Sequence, residues 1–136
     1  MESGLIIRER WINLILKGEK TWEMRSRKTL YRGLVGLIGQ GTGMIVGVAE
    51  LVDSLPPLDA TTFAATRIKH TIPEDLDTEV FEAGWVYPWV FRDSCSLSRA
   101  VEAGQRPGQV IWVPLKHETI GAIHVVMEGG GESHFG

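Results

Sequence analysis

Two apolar runs joined by a short glycine-rich segment constrain the fold of this chain more than any other feature. Residues 34–39 and 44–52 are rich in valine, isoleucine and leucine, and the segment 40–43 (QGTG) lies between them. Runs of this length bounded by turn residues predict a β-hairpin. Gly36 and Gly47 stand inside the runs, where glycine is typical of bulges or tight curvature. The hairpin therefore predicts a small, strongly curved sheet.

The residues before the hairpin predict a strand, a helix and a second strand. Residues 5–7 form a short apolar run, and apolar side chains then recur at three- and four-residue intervals from Glu9, which predicts a helix of two to three turns that ends at Gly18. The alternation after Gly18 predicts a strand. A regular strand would place Lys20 on the opposite face from Glu23 and Arg25.

The second half of the chain carries weaker signals. We predict helical segments at residues 59–70 and 73–82, followed by an aromatic segment at 84–91 in which Pro88 favours an edge strand or a kink. An irregular connection is predicted at residues 94–105, and two further strands at 109–115 and 120–127. Residues 128–136 are predicted to form a disordered tail. The 136 residues, 43% of them hydrophobic, suffice for one core. We therefore expect a single α+β domain over residues 1–127, with five to six strands and two to three helices.

The charge of the chain is unevenly distributed. Eight lysines and arginines lie between Arg8 and Arg32 against three glutamates, a local charge of +5, whereas the other residues carry 6 basic and 14 acidic side chains, a charge of −8, for a net charge of −3. A basic field on an acidic body can attract one anionic ligand without general adhesion to nucleic acid. The sequence therefore predicts a local basic site.

Several classes of protein are disfavoured by the composition. No apolar run approaches the roughly 18 residues of a membrane span, and the N-terminus lacks the features of a signal peptide. Cys95 is the only cysteine, and the four histidines show no close pair at metal-ligand spacing. We therefore expect a cytoplasmic protein with no membrane partner, no metal site and no cofactor.

Three charged side chains follow the first predicted helix within a few residues. Lys20, Glu23 and Arg25 place an ammonium, a carboxylate and a guanidinium close together in the sequence. They could form a surface ion-pair set, which contributes little to stability. The alternative is a ligand site, because arginine holds phosphate bidentately and lysine acts as a point charge. The further cations Arg27 and Lys28 favour the ligand site.

Aromatic and polar neighbours extend this candidate site. Of the five tryptophans, Trp22 lies inside the charged stretch and Trp89 beside Pro88, so these two are the best candidates to stack a base. Thr21 belongs to the same stretch. His70 ends a basic helical segment that could face the first basic region, and the alternative is simple capping of that helix.

These residues together resemble the ASCH domain, a family of the PUA-like superfold. The resemblance rests on Trp11, on Gly18-x-Lys20-x-x-Glu23-x-Arg25, on the pair Arg32-Gly33, on Gly36-Leu37-Ile38 and on Val46-Gly47-x-x-Glu50-Leu51-x-Asp53, and it continues through Trp89-Val90-Phe91 and residues 108–115. It implies a curved β-barrel with flanking helices, and a cleft lined by the motif lysine, acid and arginine. It also implies recognition of RNA or of a modified nucleotide.

The resemblance implies enzymatic alternatives as well. Some bacterial relatives remove the acetyl group from N4-acetylcytidine with a lysine, a hydroxyl residue and a glutamate, and ribonuclease activity is also associated with the family. Lys20 matches the motif lysine, whereas Glu23 occupies the place of their threonine. If the chain is an enzyme, Lys20 would stabilise an oxyanion and Glu23 would activate water. A protein-interaction domain without ligand chemistry is the third alternative.

Overall fold

The computed structural model describes residues 1–132, which form six strands and five α-helices. In chain order these are β1 (Ser3–Ile7), α1 (Glu9–Leu16), β2 (Trp22–Arg25), β3 (Gly33–Gly39), β4 (Met44–Ser54), α2 (Ala60–Ala65), α3 (Arg67–His70), α4 (Asp77–Ala83), β5 (Tyr87–Glu102), β6 (Trp112–Pro114) and α5 (His117–Glu132), with a 3₁₀ turn at Glu74–Leu76 before α4. None of the helices among residues 1–132 has the length and apolarity needed to span a bilayer.

The strands form one curled sheet in the order β2-β5-β4-β3-β1-β6. The predicted hairpin is β3 and β4, which pair antiparallel, and β1 joins the sheet parallel to β3. The register shifts once between β3 and β4 and three times between β4 and β5. Such irregularities bend strands and increase their twist, so they account for the curvature. The predicted α+β fold with a curved β-barrel is confirmed.

Helix α1 packs directly on the sheet because a glycine leaves room for it. A Cβ atom on Gly47 of β4 would lie 2.3 Å from Leu16 Cδ2 and 2.8 Å from the Cys95 carbonyl oxygen of β5. On its buried side α1 inserts Ile12 and Ile15 into the main core, beside apolar residues of β1, β3, β4 and β5. The close approach holds the C-terminal end of α1 against β4 and β5.

A smaller core lies under the short helices of the second half. Met24 of β2 packs with Phe63 of α2, with Ile72 of the loop after α3, and with Val80 of α4. The helix predicted over residues 59–70 is divided at Thr66 into α2 and α3, and the helical segment predicted after Pro73 is present. These elements pack against Met24 of β2, and residues within 72–80 also line a cavity beside that strand.

Strand β5 corrects two predictions. It continues through most of the segment predicted as an irregular connection, and it lies between β2 and β4 instead of at an edge. Its outer half is largely exposed on both faces, so no apolar alternation marks it as a strand. Pro88 is the second residue of β5, where its carbonyl accepts a hydrogen bond from Leu55 (2.9 Å). Proline is compatible with the beginning of a strand.

Helix α5 replaces the strand predicted over residues 120–127. Ile123 and Val126 are buried whereas Val125 is 61% exposed, so the buried side chains follow a helical period. The five helices of the described chain therefore exceed the two to three predicted. The backbone of α5 continues to Glu132, past the predicted start of the tail at residue 128, and residues 133–136 of that tail lie outside the described residues.

Candidate functional site

Two adjoining cavities open between the sheet and the short helices. Their volumes are about 150 and 140 Å³, and both are lined by Arg8, Trp11, Glu23, Met24 and Trp85. We call this continuous space the Lys20 cleft, since that lysine lines the inner cavity. It corresponds to the predicted gap between barrel and helices.

Lys20 reaches the cleft from a turn. Gly18 adopts a left-handed conformation (φ 77°) that ends α1, and the amides of Glu19 and Lys20 then donate to the Leu14 carbonyl (3.0 and 3.1 Å). Strand β2 begins only at Trp22. Because Lys20 precedes the regular strand, the alternation that would place it away from Glu23 does not apply to it, and the two side chains lie close together.

The ammonium of Lys20 has three close neighbours. It donates to the carbonyl oxygen of His70, lies 3.9 Å from Glu23 Oε1, and stands 4.7 Å from the centre of the Trp11 ring. The residue is only 1% exposed. Burial lowers the pKa of Lys20 from 10.5 to about 8, an effect that the Glu23 carboxylate opposes. A lysine with a pKa of about 8 is mostly protonated at pH 7 and loses its proton at a lower pH than an ordinary lysine does.

Glu23 and Arg25 form a fixed pair beside Lys20. Arg25 Nη2 donates to Glu23 Oε2 (2.9 Å) and to the Ile6 carbonyl (2.9 Å), so β1 holds the guanidinium and the guanidinium holds the carboxylate. The Glu23 side chain is 6% exposed and that of Arg25 19% exposed. Glu23 thus presents one oxygen toward Lys20 and the other toward Arg25.

The side chain of His70 forms its hydrogen bonds and its stacking contact inside the protein. Its Nδ1 accepts from the Ile72 amide (3.0 Å), so Nε2 carries the hydrogen that it donates to the Phe63 carbonyl (2.7 Å). The ring is fully buried, stacks on Phe63 (4.1 Å between centroids), and burial lowers the pKa of His70. Only the backbone carbonyl of His70 reaches the site.

Three other predicted ligand-binding residues belong to the scaffold. Trp89 is 2% exposed, donates from Nε1 to the Arg27 carbonyl (2.8 Å) and stacks on Trp112. Trp22 packs against the smaller core. The backbone of Thr21 bridges Lys69 and Phe91 through hydrogen bonds of 3.1 and 2.8 Å. None of the three lines the cleft.

Arg27 and Lys28 lie in a different place. Both are exposed, and they line a separate open cavity of about 520 Å³. We call it the Arg27 groove; its remaining walls are Ser54, Leu55, Pro56, Pro57 and Tyr87. The eight predicted ligand-binding residues are therefore divided between a cleft, a groove and the core.

The structure adds residues that the sequence did not single out. Trp85 is 37% exposed and lines both cavities of the cleft, with the Arg8 guanidinium 5.5 Å from its ring. Arg10 lies 4.6 Å from the Trp11 ring, and Glu79 of α4 lines the inner cavity. The sequence feature that could have pointed to Trp85 is Gly84, because its left-handed conformation ends α4 and places the next residue, Trp85, at the cleft.

The side chains of the described residues contain no group of three His, Cys, Asp or Glu arranged to hold a metal ion. The cleft offers an ammonium, three guanidinium groups, two carboxylates and two indole rings. Such a set can bind through charge, hydrogen bonds and stacking.

Comparisons with known proteins agree on one family. The sequence profile of the ASCH domain matches residues 5–105. The fold is similar to that of an ASCH protein from Zymomonas mobilis (TM-score 0.72, 17% identity, 91% of this chain and 94% of that chain). A tyrosine-to-phenylalanine mutant (TM-score 0.71, 18% identity, 91% and 96%) and a serine-to-alanine mutant (0.70, 18%, 90% and 94%) of that protein are similar to the same degree.

A comparison with curated protein sequences gives no match. Identities of 17% and 18% support the common fold and carry no information on activity. The profile covers most of the chain, from β1 to the residues after β5. It includes every residue of the cleft except Val110. The chain belongs to the ASCH domain family.

Proposed function

We propose that this protein binds RNA or a nucleotide, with a base in the Lys20 cleft. One observation carries the proposal: the buried Lys20 ammonium and the Glu23 carboxylate stand 3.9 Å apart in a cavity walled by Trp11 and Trp85. A nucleobase has a π-face for stacking and an edge of alternating donors and acceptors for polar contacts. The cleft offers a partner for each.

The polar part of the cleft suits a base edge because its groups are already oriented. Lys20 is held by the His70 carbonyl, and Glu23 is held by Arg25. A donor and an acceptor fixed side by side lose little entropy on binding. A base that carries an amino group beside an acceptor atom would match both, and such edges are accessible in single-stranded or nucleotide ligands.

The outer part of the cleft suits the anionic part of the ligand. Arg8 and Arg10 line it, and among residues 1–129 neither forms an ion pair with a carboxylate. Unpaired guanidinium groups can bind phosphate bidentately. The local charge of +5 between Arg8 and Arg32 would attract such a ligand.

The proposal is tested by tryptophan fluorescence during titration with ribonucleoside 5′-monophosphates and a short single-stranded RNA at low salt. We expect Trp85→Ala to weaken binding by about 1–3 kcal/mol, the range for loss of one stacked base, and Lys20→Met to weaken it further. Lys69→Met is the control, since Lys69 is exposed and lies outside the cleft. Binding that is absent in the native protein, or equal in all three variants, would refute the proposal.

A second candidate function is hydrolysis of an acetylated cytidine. The supporting observation is Lys20, whose lowered pKa and position beside Glu23 are typical of catalytic groups. Glu23 would take a proton from water as the oxygen attacks the amide carbon, and the Lys20 ammonium would stabilise the oxyanion. Cleavage of the C–N bond, with the proton returned to nitrogen, would give acetate and cytidine.

Incubation with N4-acetylcytidine tests this candidate. We expect Lys20→Ala and Glu23→Gln each to abolish product formation, whereas Glu79→Gln, at an exposed position of the same cavity, retains it. Activity should fall as pH rises through about 8, because the oxyanion needs the protonated lysine. Turnover that is unaffected by Lys20→Ala would remove the lysine from the reaction and leave binding as the function.

A further inference from the structure

The Arg27 groove, at about 520 Å³, is larger than either cavity of the Lys20 cleft and has no role in the function proposed above. It opens beside the segment between β2 and β3, residues 26–32, which carries Arg27, Lys28 and Arg32 and no acidic residue. Among residues 1–129, Arg27 and Lys28 form no ion pair, whereas Arg25 and Arg32 do. Two free cations therefore face an open space.

The walls of the groove are rigid. The Arg27 carbonyl is held by Trp89 Nε1 (2.8 Å), the Thr29 amide donates to Ser54 Oγ (3.0 Å), and the Leu55 amide donates to Pro88 (2.9 Å). Pro56 and Pro57 add further stiffness. A preorganised surface loses less entropy when it binds a ligand.

The chemistry of the groove is suited to a sugar–phosphate chain. Its floor is apolar, with Leu55, two prolines and the half-buried ring of Tyr87, and its rim carries Arg27 and Lys28. Proteins that bind single-stranded nucleic acid combine a basic rim, which follows the phosphates, with aromatic or apolar surfaces under the sugars and bases.

The groove adjoins the Lys20 cleft at one end of β2. Glu23 pairs with Trp89 and Arg25 with Tyr87 across the β2–β5 ladder. Arg25 lines the cleft, and its cross-strand neighbour Tyr87 lines the groove. Glu23 and Arg27 are four residues apart, at most about 13 Å at roughly 3.3 Å per extended residue, because β2 ends at Arg25 and the chain bends after it. A few nucleotides can span that distance.

We infer that the Arg27 groove is a second subsite, which holds the sugar–phosphate chain next to a base bound in the Lys20 cleft, so that the ligand is single-stranded RNA instead of a free nucleoside or mononucleotide. The inference rests on the function proposed above, because it takes the cleft as the site of the base. It assigns Arg27 and Lys28 to phosphate contacts outside the cleft.

Fluorescence anisotropy with a labelled single-stranded RNA hexamer, with cytidine 5′-monophosphate as competitor and as separate ligand, tests the inference. The variant is Arg27→Ala with Lys28→Ala, and the control of equal charge is Arg99→Ala with Lys116→Ala, two exposed residues outside the groove. Both double variants change only exposed side chains, and circular dichroism melts verify that they fold.

We expect the Arg27/Lys28 variant to bind the hexamer roughly tenfold more weakly than the control does. Its plot of log K against log salt should be shallower by about 1.4, at about 0.7 per phosphate contact on a single strand. Its affinity for cytidine 5′-monophosphate should be unchanged, and the native protein should prefer the hexamer to the mononucleotide.

Other results would overturn the inference. Equal loss in the two double variants, or equal affinity of the native protein for hexamer and mononucleotide, would show that the groove is not a subsite while the proposed function of the cleft stands. If the Arg27/Lys28 variant bound an acidic peptide more weakly than the native protein does but bound RNA equally well, the groove would be assigned to a protein partner. Binding of neither RNA nor nucleotide by the native protein would refute the proposed function together with the inference.

Discussion

Lys20 is the residue on which the account of the site depends. Burial of an ammonium in a protein interior is unfavourable unless partners compensate for the lost water. Here the His70 carbonyl and the Glu23 carboxylate are those partners. The pKa of Lys20 is nevertheless lowered to about 8, so the cost of burial exceeds the gain from its neighbours. A residue kept at such a cost is better explained by function than by stability.

The unfavourable burial of Lys20 should make the stability of the protein depend on pH. In the unfolded chain the lysine titrates near 10.5, and in the folded protein near 8. Between these pH values the unfolded state binds more protons, so the free energy of unfolding should rise with pH, by at most about 3–4 kcal/mol at roughly 1.4 kcal/mol per pKa unit. Below pH 8 the full cost is present.

Urea denaturation at several pH values measures this effect. The difference between the native protein and Lys20→Met isolates it, since methionine is similar in length and carries no proton. A pH profile of the native protein parallel to that of Lys20→Met between pH 8 and pH 10.5 would mean that Lys20 keeps an ordinary pKa.

The sequence identified the charged residues of the cleft better than the aromatic ones. Lys20, Glu23 and Arg25 are close in the chain, so a local motif brings them together. Which tryptophan is exposed depends instead on packing between distant elements. Trp89, beside Pro88 in β5, is buried against Trp112 of β6, whereas Trp85 remains accessible because Gly84 ends α4 just before it.

At the scale of elements, the position of α1 relative to the sheet decides the shape of the cleft. Arg8, Arg10 and Trp11 come from its first turn and the residue before it, and Lys20 follows its end. The helix can approach β4 and β5 because Gly47 has no side chain. The turn residues of the hairpin and the end of α1 at Gly18 were readable from sequence, but this contact between elements was not.

Gly47→Ala should therefore displace α1. Its Cβ would lie 2.8 Å from the Cys95 carbonyl oxygen, a backbone atom that cannot move without distorting β5. We expect a loss of about 1–3 kcal/mol in the free energy of unfolding, the usual cost of overpacking. Thermal denaturation measures the change.

Gly121→Ala is the matched control for this prediction. Gly121 lies in α5, and a Cβ atom there would have no heavy atom within 4 Å. Alanine should raise stability by up to about 1 kcal/mol, because it favours helix over glycine. If Gly47→Ala were as stable as Gly121→Ala, the close packing of α1 on Gly47 would be contradicted.

Elements whose burial pattern is weak were the ones predicted incorrectly. Most side chains of the outer half of β5 are exposed, only Leu97 and Val101 pack against a core, and this half pairs with β4. Residues 120–127 are β-branched and apolar, which resembles a strand, but their buried positions repeat with the period of a helix. The pairing of β5 and the buried positions of α5 both depend on contacts with other elements, which the local sequence does not contain.

At the scale of the whole molecule, the curled sheet leaves two spaces on its basic side. The cleft and the groove flank the end of β2, and six of the eight cations between Arg8 and Arg32 line one or the other. The acidic remainder of the chain lies elsewhere in sequence and would disfavour nucleic acid at other surfaces. The fold class followed from the hairpin and its glycines, while the division of the predicted site into two spaces required the tertiary structure.

The most direct test of the account is the response of the five indole N–H signals in ¹H–¹⁵N NMR spectra to cytidine 5′-monophosphate. We predict that the signals of Trp11 and Trp85, which line the cleft, shift with increasing ligand. The signals of Trp22, Trp89 and Trp112, which belong to the cores, should stay in place. A shift of the Trp22 or Trp89 signal with no change in Trp11 and Trp85, or no shift in any signal, would contradict the assignment of the Lys20 cleft as the site of the base.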